Sequence, residues 1–416
     1  MTYGFENFVN LIYPILYKSL KIYTLLGYIS SMKTLAIISE FNPFHNGHEY
    51  LLKKSKELTK ADLAISLMSG DFVQRGEPAI IDKFSRADMA MMAGFDMVVE
   101  MPIHISLQSA EYFALGSVKI LEKLNVDYLC FGIENMEPND FLEKANLLLE
   151  KENLLEELTK KHLENSSFTK ARYDATVEVL GDDGFITSNN ILALEYMRAI
   201  RKIASSMTPM PIKRISSANS DTDLLDSKIS SSTAIRNNIS ANYKDHVPAY
   251  AYELIEESKK TFGLPNMDII YDIFIFLLLL ERRPMNGILA YEEGLENYLT
   301  KVCENNHSFS SFIIDATNKR YTSSRIKRLM INYILENRST FNAYDINFYK
   351  ILAFNKNAEL IFKNSSSNPV IRKKDYDNLS FTDQMILSQM VDGSNLYSLC
   401  QKRDFNLDYK TKIRRY

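Results

Sequence analysis

The stretch Thr34-Leu-Ala-Ile-Ile-Ser-Glu-Phe-Asn-Pro-Phe-His-Asn-Gly-His48 restricts what this chain can fold into more than any other. Thr34 to Ser39 is a short, β-branched apolar run suited to a buried strand. Asn42-Pro43 then enforces a turn, because the residue before proline is pushed out of the helical region. From His45 the spacing becomes helical, with Tyr50, Leu51 and Leu58 on one face. A helix that starts at the carboxyl end of a strand aims unpaired N–H groups and the positive end of its dipole above that strand, which favours an anion such as a triphosphate. His45 and His48, three residues apart, share a face and can donate to the same phosphate. Gly47 between them leaves the backbone open to a base or ribose. These are two of only six histidines in 416 residues, so their pairing here points to function.

The chain downstream keeps a strand-helix rhythm. Asp62 to Met68 is expected as a second buried strand with Ser69-Gly70-Asp71-Phe72 as its turn, and Asp96 to Met101 as a third. A helix from about Asp82 to Ala93 carries Lys83 and Arg86, each readable as a phosphate ligand or a solvated charge, and Arg75 stands beside two glycines at a strand mouth. A helix over about Ser109–Leu124 leads to a strand over Val126–Phe131, with Gly132 at its carboxyl end where a bare backbone tolerates a close ligand. The rhythm predicts an α/β fold with a parallel sheet and right-handed crossovers. Ser188-Asn189-Asn190 reads as a cap for a helix from Ile191, with Asn189 also a candidate base or ribose ligand. The strand Met210 to Ile215 delivers Arg214 to the sheet edge, and Ile229 to Arg236 opens a further helix. There Ser231, Ser232 and Thr233 offer donors to phosphates and Arg236 lies one turn on as counter-charge.

His45-Asn-Gly-His48 resembles the His-x-Gly-His element of the nucleotidyltransferase superfamily, in which ATP is attacked at its α-phosphorus, and Ile229 to Arg236 resembles that superfamily's second, Ser/Thr-rich element. The run Glu40 to His48 together with Met68-Ser-Gly-Asp-Phe-Val-Gln-Arg-Gly-Glu-Pro-Ala-Ile-Ile-Asp-Lys83 closely resembles the bacterial tRNA(Met) cytidine acetate ligases, from about Met32 to Arg236. The resemblance implies a Rossmann-like nucleotidyltransferase domain with a parallel sheet over residues 32–240, followed by a mainly α-helical domain over 241–416. It also implies ATP as substrate, Mg²⁺ with it, acetate, and elongator tRNA(Met) as acceptor at its wobble cytidine. His45, His48 and Arg236 carry the catalytic expectation. Ile38, Ser39, Glu40, Phe41, Asn42, Pro43, Phe44, His45, Asn46, Gly47, His48, Leu51, Gly132, Asn189, Arg214, Ser231 and Thr233 carry the ATP-binding one.

Composition narrows the alternatives. A net charge of −3 gives no overall attraction to nucleic acid, so an RNA site must be a local basic patch. The best local candidate is Lys319 to Arg328, five basic residues in ten with no acid; Arg372-Lys373-Lys374 and the segment Lys402 to Arg415 add more. Cys130, Cys303 and Cys400 show no metal or redox spacing, which fits a reducing cytoplasm, and Cys130 reads as core. Tyr271 to Leu280 is too short to cross a bilayer and reads as a buried helix. Residues 1–31 read as an extension or an early start codon ahead of Met32. Two rival functions stay open: a small-molecule adenylyltransferase releasing pyrophosphate, and a non-catalytic RNA-binding protein that retains ATP.

Overall fold

A computed structural model describes residues 32–164, 166–215 and 228–416; the reading of residues 1–31 lies outside them. The fold is organised by one sheet. Its strands are β1 (Thr34–Ser39), β2 (Leu63–Ser69), β5 (Met97–Met101), β6 (Tyr128–Ile133), β7 (Thr208–Lys213), β8 (Phe348–Phe354), β9 (Asn368–Val370) and β10 (Arg414–Arg415). A small hairpin, β3 (Phe72–Val73) with β4 (Glu77–Pro78), stands apart. The order is β10-β8-β5-β2-β1-β6-β7, with β9 paired to β8. β1, β2, β5, β6 and β7 are mutually parallel, and β8 runs antiparallel to β5. The chain steps outward from β1 through β2 to β5, then returns to β6 on the other side of β1. The order therefore reverses at the carboxyl end of β1, where ligands of open α/β sheets collect.

Both faces are covered, which is why β1 and β2 read as unbroken apolar runs rather than alternating ones. Ala36, Ile65, Val99 and Leu129 face the helices Ala110–Lys123 and Ser188–Lys202. Leu35, Ala64, Val98 and Cys130 face the helices Asn46–Thr59, Lys83–Ala93 and Ala249–Phe262. Burial pushes the Cys130 thiol up to about 12, as expected of a core residue. A third core, mainly helical, joins Tyr271, Phe274, Leu299, Phe312 and Ile326, and it also takes in Phe72 of the hairpin. That hairpin at the strand mouths is thus anchored in the carboxyl-terminal helices. Among the described residues no single helix is long and apolar enough to cross a membrane.

Two differences from the sequence expectations matter. The helical half is not helical throughout: β8, β9 and β10 extend the same sheet, so the sheet crosses the boundary expected near residue 240. Lys83 and Arg86, read as phosphate ligands or surface charges, are both fully buried. Lys83 Nζ donates to Glu100 at 2.8 Å, Asp408 at 2.7 Å and the Ser394 hydroxyl at 2.6 Å, and Lys350 pairs with the same two acids. Further tethers converge on the Lys83–Ala93 helix from beyond residue 402: Arg403 to Asp82 at 2.9 Å, and Arg414 and Tyr416 to Asp88 at 2.5 and 2.7 Å.

Removing one partner of a buried ion cluster strands the others. Lys83→Met is therefore expected to cost roughly 3–5 kcal/mol, read as a lower midpoint in urea, whereas removing an exposed charge such as Lys54 leaves the midpoint within experimental scatter.

Candidate functional site

β1 ends at Ser39, and Glu40 and Phe41 carry the chain over the sheet. Phe41 sits in the left-handed region (φ 47°), and Asn42-Pro43 is a cis peptide. Phe41 and Phe44 are buried against each other, ring centroids 4.8 Å apart, and form a floor 5.0 and 5.5 Å from the His48 ring. The helix Asn46–Thr59 then begins with its two histidines capping each other's backbone. His45 Nδ1 accepts from the Gly47 N–H at 3.0 Å, and His48 Nδ1 accepts from the His45 N–H at 3.2 Å. This is a reciprocal capping box built from imidazoles in place of the usual hydroxyl and carboxylate. The rings stack at 3.7 Å.

The caps fix the chemistry of the pair. Burial, with help from neighbouring Arg214, lowers the His48 pKa to about 3, and burial with the charges of His48, Arg214 and Arg236 takes His45 well below its usual value. Both rings are thus neutral near pH 7. A neutral ring whose Nδ1 accepts a hydrogen bond carries its proton on Nε2. Each histidine therefore presents an Nε2–H donor and no free acceptor.

The second element meets the first directly. Ser231 caps the short helix Ser232–Asn237, accepting from the Ala234 N–H at 3.1 Å. Arg236 reaches back to the Asn42 carbonyl at 2.7 Å and to the Thr233 hydroxyl at 3.2 Å. From the other side the Asn46 amide donates to the carbonyls of Lys228 and Asp245 at 2.7 and 2.9 Å. The two helix starts near residues 45 and 231 are therefore laced together at the β1 mouth.

A third unit closes the β6–β7 side. Arg214, just past β7, passes its stem across Gly132, where a Cβ would come within 2.9 Å of it, and its guanidinium lies 3.5 Å from Glu134. Asn189 donates to the same carboxylate at 2.6 Å, while Asn190 clamps the Glu134 backbone, N–H and carbonyl both. Glu134 as the hub of Arg214 and Asn189 was not assigned from the sequence; its position two residues past Gly132 was the only signal.

Several expected roles change with the geometry. The cap of the helix Ser188–Lys202 is Thr187, not the Ser188-Asn189-Asn190 run, which leaves Asn189 free of capping and turned to Glu134. Ser39 spends its hydroxyl on Ser66 at 2.8 Å, so only its backbone faces the mouth. Ile38 and Leu51 are partly buried apolar side chains packed on the two sheet cores. Gly47 is required by its own neighbour: a Cβ there would meet the His45 ring at 2.9 Å, and Ile229 covers it at 3.6 Å. Among the described residues no three His, Cys, Asp or Glu side chains converge as metal ligands. The basic run is largely spent: Lys327 pairs with Glu77, Arg320 and Arg325 with Glu292, and Arg328 donates to the Gln74 carbonyl at 3.1 Å.

Residues 32–412 match the family model described as HIGH Nucleotidyl Transferase. A tRNA(Met) cytidine acetate ligase of Thermoanaerobacter sp. (strain X514) is 36% identical over 89% of this chain and 96% of its own length. Its counterpart in Clostridium acetobutylicum is 35% identical over 92% and 99%. The crystal structure of Thermotoga maritima TmcAL bound with alpha-thio ATP superposes with a TM-score of 0.80 at 29% identity, covering 92% of this chain and 99% of that one.

Burial of neutral His48 sets a pH dependence of stability. Its depressed folded pKa means the unfolded chain binds the proton first, so stability falls as pH drops below about 6.5 toward 3, by at most about 1.4 kcal/mol per unit from this group. His48→Gln is expected to flatten that part of the slope, measured by urea midpoints between pH 7 and 4.

Proposed function

The chain belongs to the HIGH nucleotidyl transferase family, and from that premise we propose that it is an ATP-dependent tRNA(Met) cytidine acetate ligase. In this reading acetate attacks the α-phosphorus of ATP, pyrophosphate leaves, and the exocyclic amine of the wobble cytidine of elongator tRNA(Met) takes the acetyl group from the mixed anhydride, releasing AMP. The observation that carries it is the lacing of the two motif helices, Arg236 to Asn42 and Asn46 to Lys228, around one strand mouth at the topological switch point. Matching relatives are named for that reaction and are covered almost end to end.

The roles follow from the donors. Acetate is already an anion, so the first step needs alignment and charge stabilisation rather than a base. His45 and His48 supply neutral Nε2–H donors to the α-phosphate. Arg236 and Arg214 supply fixed positive charge on either side, and the starts of the two helices supply backbone N–H groups. Adenosine lies toward Gly132 and Asn189. Magnesium would add to the charge neutralisation that Arg214 and Arg236 supply to the phosphates.

The tRNA is held across the hairpin Phe72–Pro78 and the helix Ser323–Ile334 docked on it, with Arg75 and Lys319 as the exposed charges for phosphate contact. Work on tRNA places the enzyme in the cytoplasm. The adenylyltransferase alternative leaves the carboxyl-terminal half without a task, since no tRNA takes part in that reaction.

Pure protein incubated with ATP, labelled acetate and tRNA is expected to yield acetylated cytidine on digestion of the RNA. Pyrophosphate release without any acetylcytidine would favour the small-molecule alternative. His48→Ala is expected to lower acetate-dependent ATP–pyrophosphate exchange by about 10²–10³-fold, since it removes an oriented donor to the reacting phosphate.

A further inference from the structure

The second half of the proposed reaction has a requirement that the first does not. An exocyclic amine that attacks an acetyl group must lose a proton, so a proton acceptor is needed beside the mixed anhydride. The two histidines do not fill that role, because each already accepts at Nδ1 and carries its proton on Nε2. Two other carboxylates near the site are paired with cations: Glu134 with Arg214, alongside the Asn189 amide, and Glu77 with Lys327, whereas no cation pairs with Glu40 among the described residues.

Glu40 differs from both. It is the first residue past β1, half-buried at the mouth of the site, and Arg86 holds its backbone carbonyl at 2.6 Å. Its Oε1 accepts from the Gln74 N–H at 2.8 Å, which fixes the carboxylate plane, and its Oε2 has no hydrogen-bond partner among the described residues. Arg236, Arg75 and Arg86 surround it electrostatically, and Tyr196 lies behind it. Those cations let an anionic side chain share a cavity with phosphates.

We propose that Glu40 is the general base of acetyl transfer, receiving at Oε2 the proton of the cytosine exocyclic amine. This rests on the reaction proposed above. As the nitrogen–acetyl bond forms, the bond from the acetyl carbon to the AMP oxygen breaks. The electron pair departs on that phosphate oxygen, and the amine proton passes to Glu40 and then to solvent. Burial raises the carboxyl above its ordinary range, which strengthens it as an acceptor. The same residue has no proton to move in the first step, since acetate enters ionised.

The two steps can be read separately. Acetyl-adenylate is trapped without tRNA as acetohydroxamate by hydroxylamine, a nucleophile that calls on no protein base. Transfer is read as acetylcytidine in a single turnover at saturating tRNA. With both steps read at saturating ATP, Glu40→Gln is expected to lose about 10²–10⁴-fold in transfer and at least about tenfold less than that in hydroxamate formation. Glu40→Asp, which retains a carboxylate, is expected to regain at least about tenfold of that loss, in line with general-base catalysis. Equal loss of both steps in Glu40→Gln would instead make Glu40 a phosphate- or magnesium-positioning residue and overturn the proposal. So would unchanged transfer, or equal transfer by the Gln and Asp variants. Absence of hydroxamate with the unmodified protein would overturn the underlying reaction itself, a failure distinct from that of Glu40.

Discussion

The site depends on one buried guanidinium. Arg86 is fully enclosed, and its donors go to the carbonyls of Glu40, Ser69, Gly70 and Ile81. The first three lie just where β1 and β2 stop pairing and the chain leaves the sheet, and the Ile81 carbonyl lies just ahead of the Lys83–Ala93 helix, so without Arg86 these acceptors would lose their partner. A guanidinium suits the task because its five N–H groups spread in a plane, enough to serve strand ends that diverge. Holding Glu40 and Gly70 fixes the height at which the turn to His45 begins. The direction of the Asn46–Thr59 helix, and of the phosphate donors at its start, follows from that.

What the sequence made legible was local. The strand run from Thr34, the turn at Asn42-Pro43 and the helix from Asn46 were readable because apolar period and proline chemistry act within a few residues. The second element near Ser231 and Arg236 was readable for the same reason. What stayed hidden was long-range. Nothing in Lys83 or Arg86 distinguishes a buried cation from a solvated one, since their partners Asp408, Ser394 and the strand-end carbonyls lie far along the chain. The basic run from Lys319 read as an open patch because its acids, Glu77 and Glu292, are outside the run itself. Asn189 was taken for a cap because Thr187, one residue before the run, competes for the same role and wins.

The histidine cap also changes how the His-x-Gly-His pattern should be read. The pattern looks like two side chains waiting for a phosphate. In the fold each is first a helix-terminating acceptor and only then a donor, and the capping bonds set the tautomer. Glycine between them is already required by the His45 ring folding back over the helix start, where a Cβ would meet it at 2.9 Å. Structural and chemical demands therefore fall on the same atoms, which leaves little freedom for substitution at either position.

The anchoring of the Lys83–Ala93 helix by Arg403, Asp408 and Arg414 has a consequence for biogenesis. A ribosome makes Lys83 more than three hundred residues before Asp408, the second of the acids that hold it, and Lys350 before it as well. Until Asp408 is made, the central strands can collapse with Glu100 beside both ammonium groups, but the cluster beneath them lacks one of its acids and resists dehydration. Nascent chains should therefore complete the floor of the nucleotide pocket only once Asp408 has emerged, with quality-control factors meeting an unfinished sheet edge until then.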